Sequence, residues 1–379
     1  MTAAIVLVFL ISAGLAYANG ANDVSKGIAT LAGSGVADYR KAIAWGAAWT
    51  GVGGVLGALF AGAMLATFGG GLLTDGVTQT LPAALAMLAG AAGCVVLATR
   101  AGLPVSTTHA IVGSLIGVAV PAYGVGAVHW AALGGKVVLP LLLSPALSLL
   151  LTGALLSAMR GRAGSSAQAS DCLCAEVEPT SALAASGGSA TAAAIGASGV
   201  RLAITSGRAE ACAVERPQAL RVTLSRLHWL TSGATSLARG MNDAPKIVAL
   251  SLAASALGAQ AVLPTPYLYG IVTVAMVAGS LVAGLRVTRV LAEDVTPMDD
   301  REGFTANLVT AALVTTGAVY GLPMSTTHVA SGGIFGAGAQ RGTLDRRSMR
   351  NILLAWVVTL PAAALLGAGC YALAAGLGG

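Results

Sequence analysis

The feature that most limits how this chain can fold is a duplication. "GLPVSTTHAIVG" runs from Gly102 to Gly113 and "GLPMSTTHVASG" from Gly321 to Gly332, an offset of 219 residues. "GANDVSKGIA" begins at Gly20 and "GMNDAPKIVA" at Gly240, an offset of 220. A weaker echo pairs "VVLP" from Val137 with "VVTLP" from Val357, again 220 residues apart. Three matches in one order at nearly one offset mark two copies of one unit. Whatever the first half folds into, the second must be able to fold into as well.

Both copies sit in an apolar background. Of 379 residues, 56% are apolar and only 9% are charged. A soluble domain carries about 25% charged residues, so this chain cannot cover a water-facing surface. It reads as an all-α polytopic protein, integral to the cell (inner or plasma) membrane. A bilayer core of about 30 Å needs about 20 apolar residues per helix. In the first half, apolar runs cover Thr2–Ala18, Ala42–Phe68, Leu81–Thr99 and Val137–Met159. In the second half they cover Leu227–Leu237, Val262–Leu285, Thr305–Tyr320 and Ile352–Leu377. The first run is not read as a signal peptide, because no basic segment precedes it and the pattern recurs to the C-terminus. The net charge of +6 comes from basic residues lying mostly between apolar runs. That is the distribution the positive-inside rule gives, and it argues for lipid rather than nucleic acid as the partner. Of the five cysteines, Cys94 and Cys370 lie in apolar runs and read as packing residues. Cys172, Cys174 and Cys212 suggest no disulfide framework.

Three segments follow. Residues 1–159 form an N-terminal transmembrane repeat, and residues 227–379 a C-terminal one. Residues 160–226 are rich in Ala, Ser and Gly, with seven arginines and five acidic residues. No periodicity persists in them, so they read as a flexible linker on the cytoplasmic side. The motif segments Asn22–Gly35, Pro104–Val120, Asn242–Leu257 and Pro323–Gly338 are too short or too polar for simple spans. They are expected to be half-helices or re-entrant hairpins, which membrane depth tolerates only against protein or a water-filled cavity. Paired repeats with interrupted helices at matching positions put a substrate site at the repeat interface. An odd number of crossings per half would make the repeats inverted.

Asn22-Asp23 and Asn242-Asp243 are the residues most out of place. An ionisable group inside a membrane segment faces the interior with a partner and marks function. Each pair also has the look of a helix N-cap. A cap alone needs no carboxylate at depth, and the pair occurs twice. Ser106-Thr107-Thr108 and Ser325-Thr326-Thr327 follow Gly-Leu-Pro and one apolar residue. Hydroxyls beside the free N–H groups and positive dipole end of a helix suit a tetrahedral oxyanion. His109 and His328, next in line, are either donors that orient those groups or proton carriers. The carboxylates favour an anion that carries its own protons, phosphate or arsenate, over sulfate, although nearby lysines weaken that discrimination.

Taken in order, "GANDVSKGIATL", "LPVSTTH", "GMNDAPK" and "LPMSTTH" resemble the PiT-type inorganic phosphate transporter family over nearly the whole chain. The resemblance implies an inverted-repeat helical fold and phosphate uptake coupled to Na⁺ or H⁺, with no other cofactor. It nominates Asn22, Asp23, Ser106, Thr107, Thr108, Asn242, Asp243, Ser325, Thr326 and Thr327 as the phosphate site, with Asp23 and Asp243 also as candidate Na⁺ ligands. A homodimer is compatible with it. The departures are specific. The family reads Asn-Asp-x-Ala-Asn where both repeats here read Asn-Asp-x-x-Lys, and Arg239 stands where the family often has His. Lys26 and Lys246 lie three residues beyond each Asp, on the same helical face. With the two carboxylates they sum to zero charge, so the lysines are expected to replace a co-transported cation and to shift the chain away from Na⁺ dependence. Alternatively, each lysine pairs only with its own Asp or snorkels to the interface.

Rival readings are a carrier for sulfate or another oxyanion, a passive channel, and an intramembrane hydrolase. The last is disfavoured: both repeats keep the same polar set, and no Gly-x-Ser-x-Gly elbow appears. The chain is therefore read as a transporter, not an enzyme. Weaker features are the acidic stretch Leu291–Phe304, expected to be a solvated loop, and Asn307 and Gln79, which could cap helices or add amide ligands. His129-Trp130 and His228-Trp229 are expected at the membrane interface. Pro140, Pro145 and Pro361 are expected to kink spans.

Overall fold

A computed structural model describes residues 3–162, 172–179, 192–193, 200–207, 220–258 and 264–378. Cys212 and the remaining parts of 160–226 lie outside the described residues. The first half runs α1 (Ala3–Asp23), α2 (Ser25–Gly33), α3 (Tyr39–Phe60), α4 (Gly62–Gly69), α5 (Leu81–Arg100) and α6 (Thr107–Tyr123). A turn at Trp130–Ala132 and a π-helical Leu133–Val138 then lead into α7 (Leu139–Arg162). The second half runs α8 (Leu224–Gly258), α9 (Thr265–Ala283), α10 (Leu285–Glu293), α11 (Asp300–Val319), α12 (Thr326–Arg341) and α13 (Arg346–Gly378). Among the described residues, six segments are long and apolar enough to cross a membrane: Ile5–Gly33, Tyr39–Phe60, Leu81–Arg100, Trp130–Met159, Thr265–Ala283 and Arg346–Gly376. At 1.5 Å per residue the 35-residue α8 is about 52 Å long. It too can span, but the charges it buries hide it from a hydropathy criterion.

Elements one repeat-length apart pack crosswise. α3 lies on α8, and α9 on α1; α6 lies on α13, and α12 on α7; α4 lies on α8, and α10 on α2. Glycines set each crossing. A Cβ at Gly20 would stand 1.9 Å from the Met276 carbonyl oxygen, and one at Gly279 would stand 1.9 Å from that of Tyr17. Gly53 meets Leu237 and Gly240 meets Thr50 in the same manner. On α6, Gly113 and Gly117 sit against the Leu360 and Ala364 carbonyls of α13, while Gly332 and Gly336 of α12 sit against Pro145 and Leu149 of α7. These are small-xxx-small contacts, which let membrane helices approach closely where no hydrophobic effect drives them together. Gly279→Ala is expected to lower the apparent Tm in detergent sharply, since overpacking against backbone costs about 1–3 kcal/mol or more. Gly93→Ala on α5, where a Cβ meets nothing within 4 Å, should leave Tm unchanged or raise it.

The main apolar core gathers Leu15, Met64, Leu88, Ile111, Ile247 and Met276 from both halves. Helix ends follow local chemistry. Asp38 caps α3 by accepting from the Lys41 backbone N–H at 2.9 Å.

The acidic stretch 291–304 is not a solvated loop. Asp299 and Glu302 form a capping box at the start of α11, and Glu302, 3% exposed, accepts from Arg341 Nη1 at 2.9 Å. His228 is likewise not an exposed anchor. It is fully buried, 2.7 Å from Asp300 and 3.1 Å from Thr30. Within 160–226 the described residues include strands β1 (Cys172–Pro179), β2 (Ala192–Ala193), β3 (Val200–Gly207) and β4 (Leu220–Thr223). They form an antiparallel sheet in the order β2-β3-β1-β4, and β4 runs directly into α8. α7 and α13 continue through their internal prolines, Pro145 and Pro361.

Candidate functional site

The Asn-Asp motifs do not begin helices. Asn22-Asp23 ends α1, and after Val24 the chain continues as α2 with helical dihedrals throughout. At this break the Asn22 carbonyl accepts from Ser25 Oγ and Lys26 Nζ, both at 2.8 Å. Asn242-Asp243 lies in the middle of α8, which continues through Pro245. The Ser-Thr-Thr motifs do begin helices, as expected. Ser106 and Ser325 are the N-caps of α6 and α12, each accepting from the backbone N–H of the following His at 3.2 Å. Their hydroxyls hold the helix starts in place.

Both Asn-Asp motifs and the first Ser-Thr-Thr motif converge on one buried cluster. Asp23 Oδ1 accepts from Lys26 Nζ at 2.8 Å. Asp23 Oδ2 accepts from Asn19 Nδ2 and Thr107 Oγ1, both at 2.8 Å. Asn19 Nδ2 also lies 3.1 Å from Asp243 Oδ2, so one amide touches the carboxylates of both repeats. Asp243 Oδ1 accepts from Asn242 Nδ2 at 2.7 Å and from Lys246 Nζ at 3.3 Å. Lys246 crosses to Thr108 Oγ1 at 2.8 Å. Asn22 ties the break to the entry of α6, donating to Thr99 Oγ1 and the Leu103 carbonyl, both at 3.0 Å. Asn242 makes the matching contact with the Met324 carbonyl at 3.0 Å. Thr327 Oγ1 donates to the Val105 carbonyl at 2.7 Å, linking the two Gly-Leu-Pro loops. Thr326 is buried beside it.

Every charged member of the cluster is at most 3% exposed. A buried ion pair is tolerated only when good geometry and further hydrogen bonds offset desolvation, and each carboxylate here has that support. Each ammonium stands in a set of oxygens. Lys26 has Asp23 Oδ1, Asn22 Oδ1 at 2.7 Å and the Asn22 carbonyl. Lys246 has Asp243 Oδ1, Thr108 Oγ1 and the Met324 carbonyl at 3.4 Å. These are the ligand types that hard monovalent and divalent cations prefer.

His109 and His328 are not bonded through their rings to the carboxylate cluster. Their rings meet edge to face at 4.8 Å and turn towards α7 and α13. There they line an apolar groove of about 520 Å³ with Pro145 and Trp356. The residue the sequence reading missed is Asn19. It was legible in principle, because it lies four residues before Asp23 and so on the same helical face. Asn307, by contrast, donates to the Gly27 carbonyl at 3.2 Å and stands outside the cluster. Gln79 lies in the loop before α5, also away from it.

Comparison with known proteins is consistent along the chain. A "Probable low-affinity inorganic phosphate transporter" of Mycobacterium bovis is 28% identical over 369 residues, covering 96% of this chain and 76% of the relative. The chloroplastic inorganic phosphate transporter 2-1 of Arabidopsis thaliana is 29% identical, covering 93% of this chain and 69% of its own. A solved structure titled "The sodium-dependent phosphate transporter" superposes with a TM-score of 0.77 at 21% identity, covering 98% of this chain and 99% of the other. That likeness establishes the helical fold. These relatives are transporters rather than enzymes. A profile of the phosphate transporter family matches residues 19–367, and the chain, a multi-pass integral membrane protein, belongs to that family.

Proposed function

We propose that this protein imports inorganic phosphate by alternating access, driven by a cation gradient, with the anion held where α1 and α8 meet the N-termini of α6 and α12. The observation that carries this is the single buried cluster to which both repeats contribute, with Asn19 bridging Asp23 and Asp243. The hydroxyls and helix starts on one side suit an oxyanion. The amides and lysines on the other offer donors to it. Asp23 and Asp243 can accept hydrogen bonds from the O–H groups of dihydrogen phosphate or arsenate, which sulfate lacks at neutral pH.

The crosswise packing limits which bodies can move. A rigid half could not rock against the other without pulling α3 off α8 and α9 off α1, where backbones touch through glycine. Each moving body must therefore mix helices of both copies, and the anion site, built from both copies, opens to either side as such bodies tilt.

Lys26 and Lys246 fill the places where a carrier with two bare carboxylates needs cations. Two unit charges about 4 Å apart interact by about 4 kcal/mol at an effective dielectric of about 20. The lysines remove that requirement, so the driving cation is H⁺ rather than Na⁺. Radiolabelled phosphate uptake into proteoliposomes tests the reading. Uptake is expected in choline as well as in Na⁺ buffer, to be stimulated by an inward H⁺ gradient, and to be competed by arsenate but not sulfate. Strict Na⁺ dependence refutes the lysine argument; competition by sulfate equal to that by arsenate refutes the phosphate assignment.

A further inference from the structure

We propose that Arg239 is a third, anion-binding cation of this site, a substrate-contacting residue whose guanidinium takes up phosphate oxygens and sets the site's net charge to +1. The inference rests on the phosphate reading above.

Arg239 is fully buried. Its Nη2 donates to Thr50 Oγ1 at 2.8 Å on α3 and to Ser280 Oγ at 3.5 Å on α9. Among the described residues, Nε and Nη1 have no hydrogen-bond partner. A guanidinium carries five N–H donors, so three of them are unmatched. Unmatched donors on a buried charge are costly unless an anion meets them at some point in the working cycle. The lysines differ in this respect, because each already has its oxygens.

Position points the same way. Residues 239, 243 and 246 follow i, i+4, i+7 spacing and share one face of α8. From that face Asp243 touches Asn19, and Lys246 touches Thr108 of α6. The carboxylates of Asp23 and Asp243 both lie within electrostatic reach of the guanidinium. The repeat offset of 220 makes Arg239 the counterpart of Asn19. Asn19 is the amide that touches both carboxylates. The two copies have therefore diverged at one matching position, into a bridge on one side and an unpaired cation on the other.

Charge sets the consequence. Lys26, Lys246 and Arg239 against Asp23 and Asp243 leave the cluster at +1 among the described residues. A phosphate monoanion brings it to neutrality with no metal cation, and arginine's planar fork matches two oxygens of a phosphate at once.

Wild type, Arg239→Gln and Arg239→Lys are compared in proteoliposome uptake of radiolabelled phosphate, and by the Tm rise that added inorganic phosphate produces in detergent. Arg239→Gln is expected to raise the KM for phosphate about tenfold or more, with kcat within about threefold, and to abolish the phosphate-induced Tm rise while keeping the ligand-free Tm. Arg239→Lys, which keeps the charge but not the fork, should fall between. An unchanged KM in Arg239→Gln overturns the proposal. So does failure of both variants to fold, because that makes the guanidinium a structural strut. If wild type takes up phosphate and Arg239→Gln matches it, only this inference falls; if wild type takes up none, the phosphate reading falls and this inference with it.

Discussion

Asp23→Asn is expected to reduce phosphate uptake at least about 100-fold. The carboxylate accepts three donors, from Lys26, Asn19 and Thr107, each at 2.8 Å. An amide in its place turns an NH₂ group towards at least one of them and leaves the Lys26 ammonium buried without its counter-charge. Breaking one side of a buried pair costs about 3–5 kcal/mol, and each 1.4 kcal/mol is about tenfold. Much of that cost is the stranded ammonium, so it can be recovered. Adding Lys26→Asn to Asp23→Asn should restore folded yield and thermal stability towards wild type, because the two changes are coupled and not additive. Uptake should stay low in the double variant, since the site then lacks one acceptor for a protonated anion. The comparison separates stability from transport: thermal unfolding in detergent reads the first, and vesicle uptake reads the second. Uptake by Asp23→Asn within about threefold of wild type would remove Asp23 from the site.

How far the sequence foretold this site depends on the kind of signal. Duplication was legible because identical motifs at offsets of 219 and 220 need no structural insight. The Ser-Thr-Thr motifs were placed correctly at helix starts, because proline and an N-capping serine act locally. Of the Asn-Asp motifs, the first stands at a helix break just ahead of the short α2, whereas the second carries the same local signature inside a continuous helix. Pro245 removes one ladder hydrogen bond, yet α8 continues. α3 packs along α8 there, with Gly57 facing Met241 and Pro245, and tertiary packing overrides the local signal. His228 looked interfacial beside Trp229, whereas its partner Asp300 lies 72 residues away in an acidic stretch that itself looked solvated. Long-range pairs of that kind leave no periodic trace. The strand Val200–Gly207 did leave one. Val200, Leu202 and Ile204 alternate with Arg201, Ala203 and Thr205, a period of two that the Ala-, Ser- and Gly-rich composition concealed.

Replacing both lysines, Lys26→Asn with Lys246→Asn, is expected to convert the carrier to one that needs Na⁺. Each ammonium now occupies a cluster of oxygens: a carboxylate, an amide or hydroxyl oxygen and a backbone carbonyl. Asparagine is shorter and neutral. It leaves those oxygens facing one another and contributes one more, giving sets of hard oxygen ligands suited to a small cation. The charge of the cluster falls from +1 to −1 among the described residues, with Arg239 retained. A phosphate monoanion then meets net repulsion, at about 4 kcal/mol for each unbalanced unit-charge pair near 4 Å. Uptake in choline buffer should therefore drop at least about 100-fold, and Na⁺ should restore it along a saturable curve that wild type does not show. Either single variant should fall between, at a cluster charge of zero. Because the lysines already pair with carboxylates, loss of folding is the competing explanation for low uptake. Recovery by Na⁺ in the same vesicles answers it when the folded fraction, read by thermal unfolding, is the same with and without Na⁺, because an ion that binds only the folded state also stabilises it. If the folded double variant transports equally well with and without Na⁺, the ammonium groups are not standing in for cations, and the charge argument for this carrier is wrong.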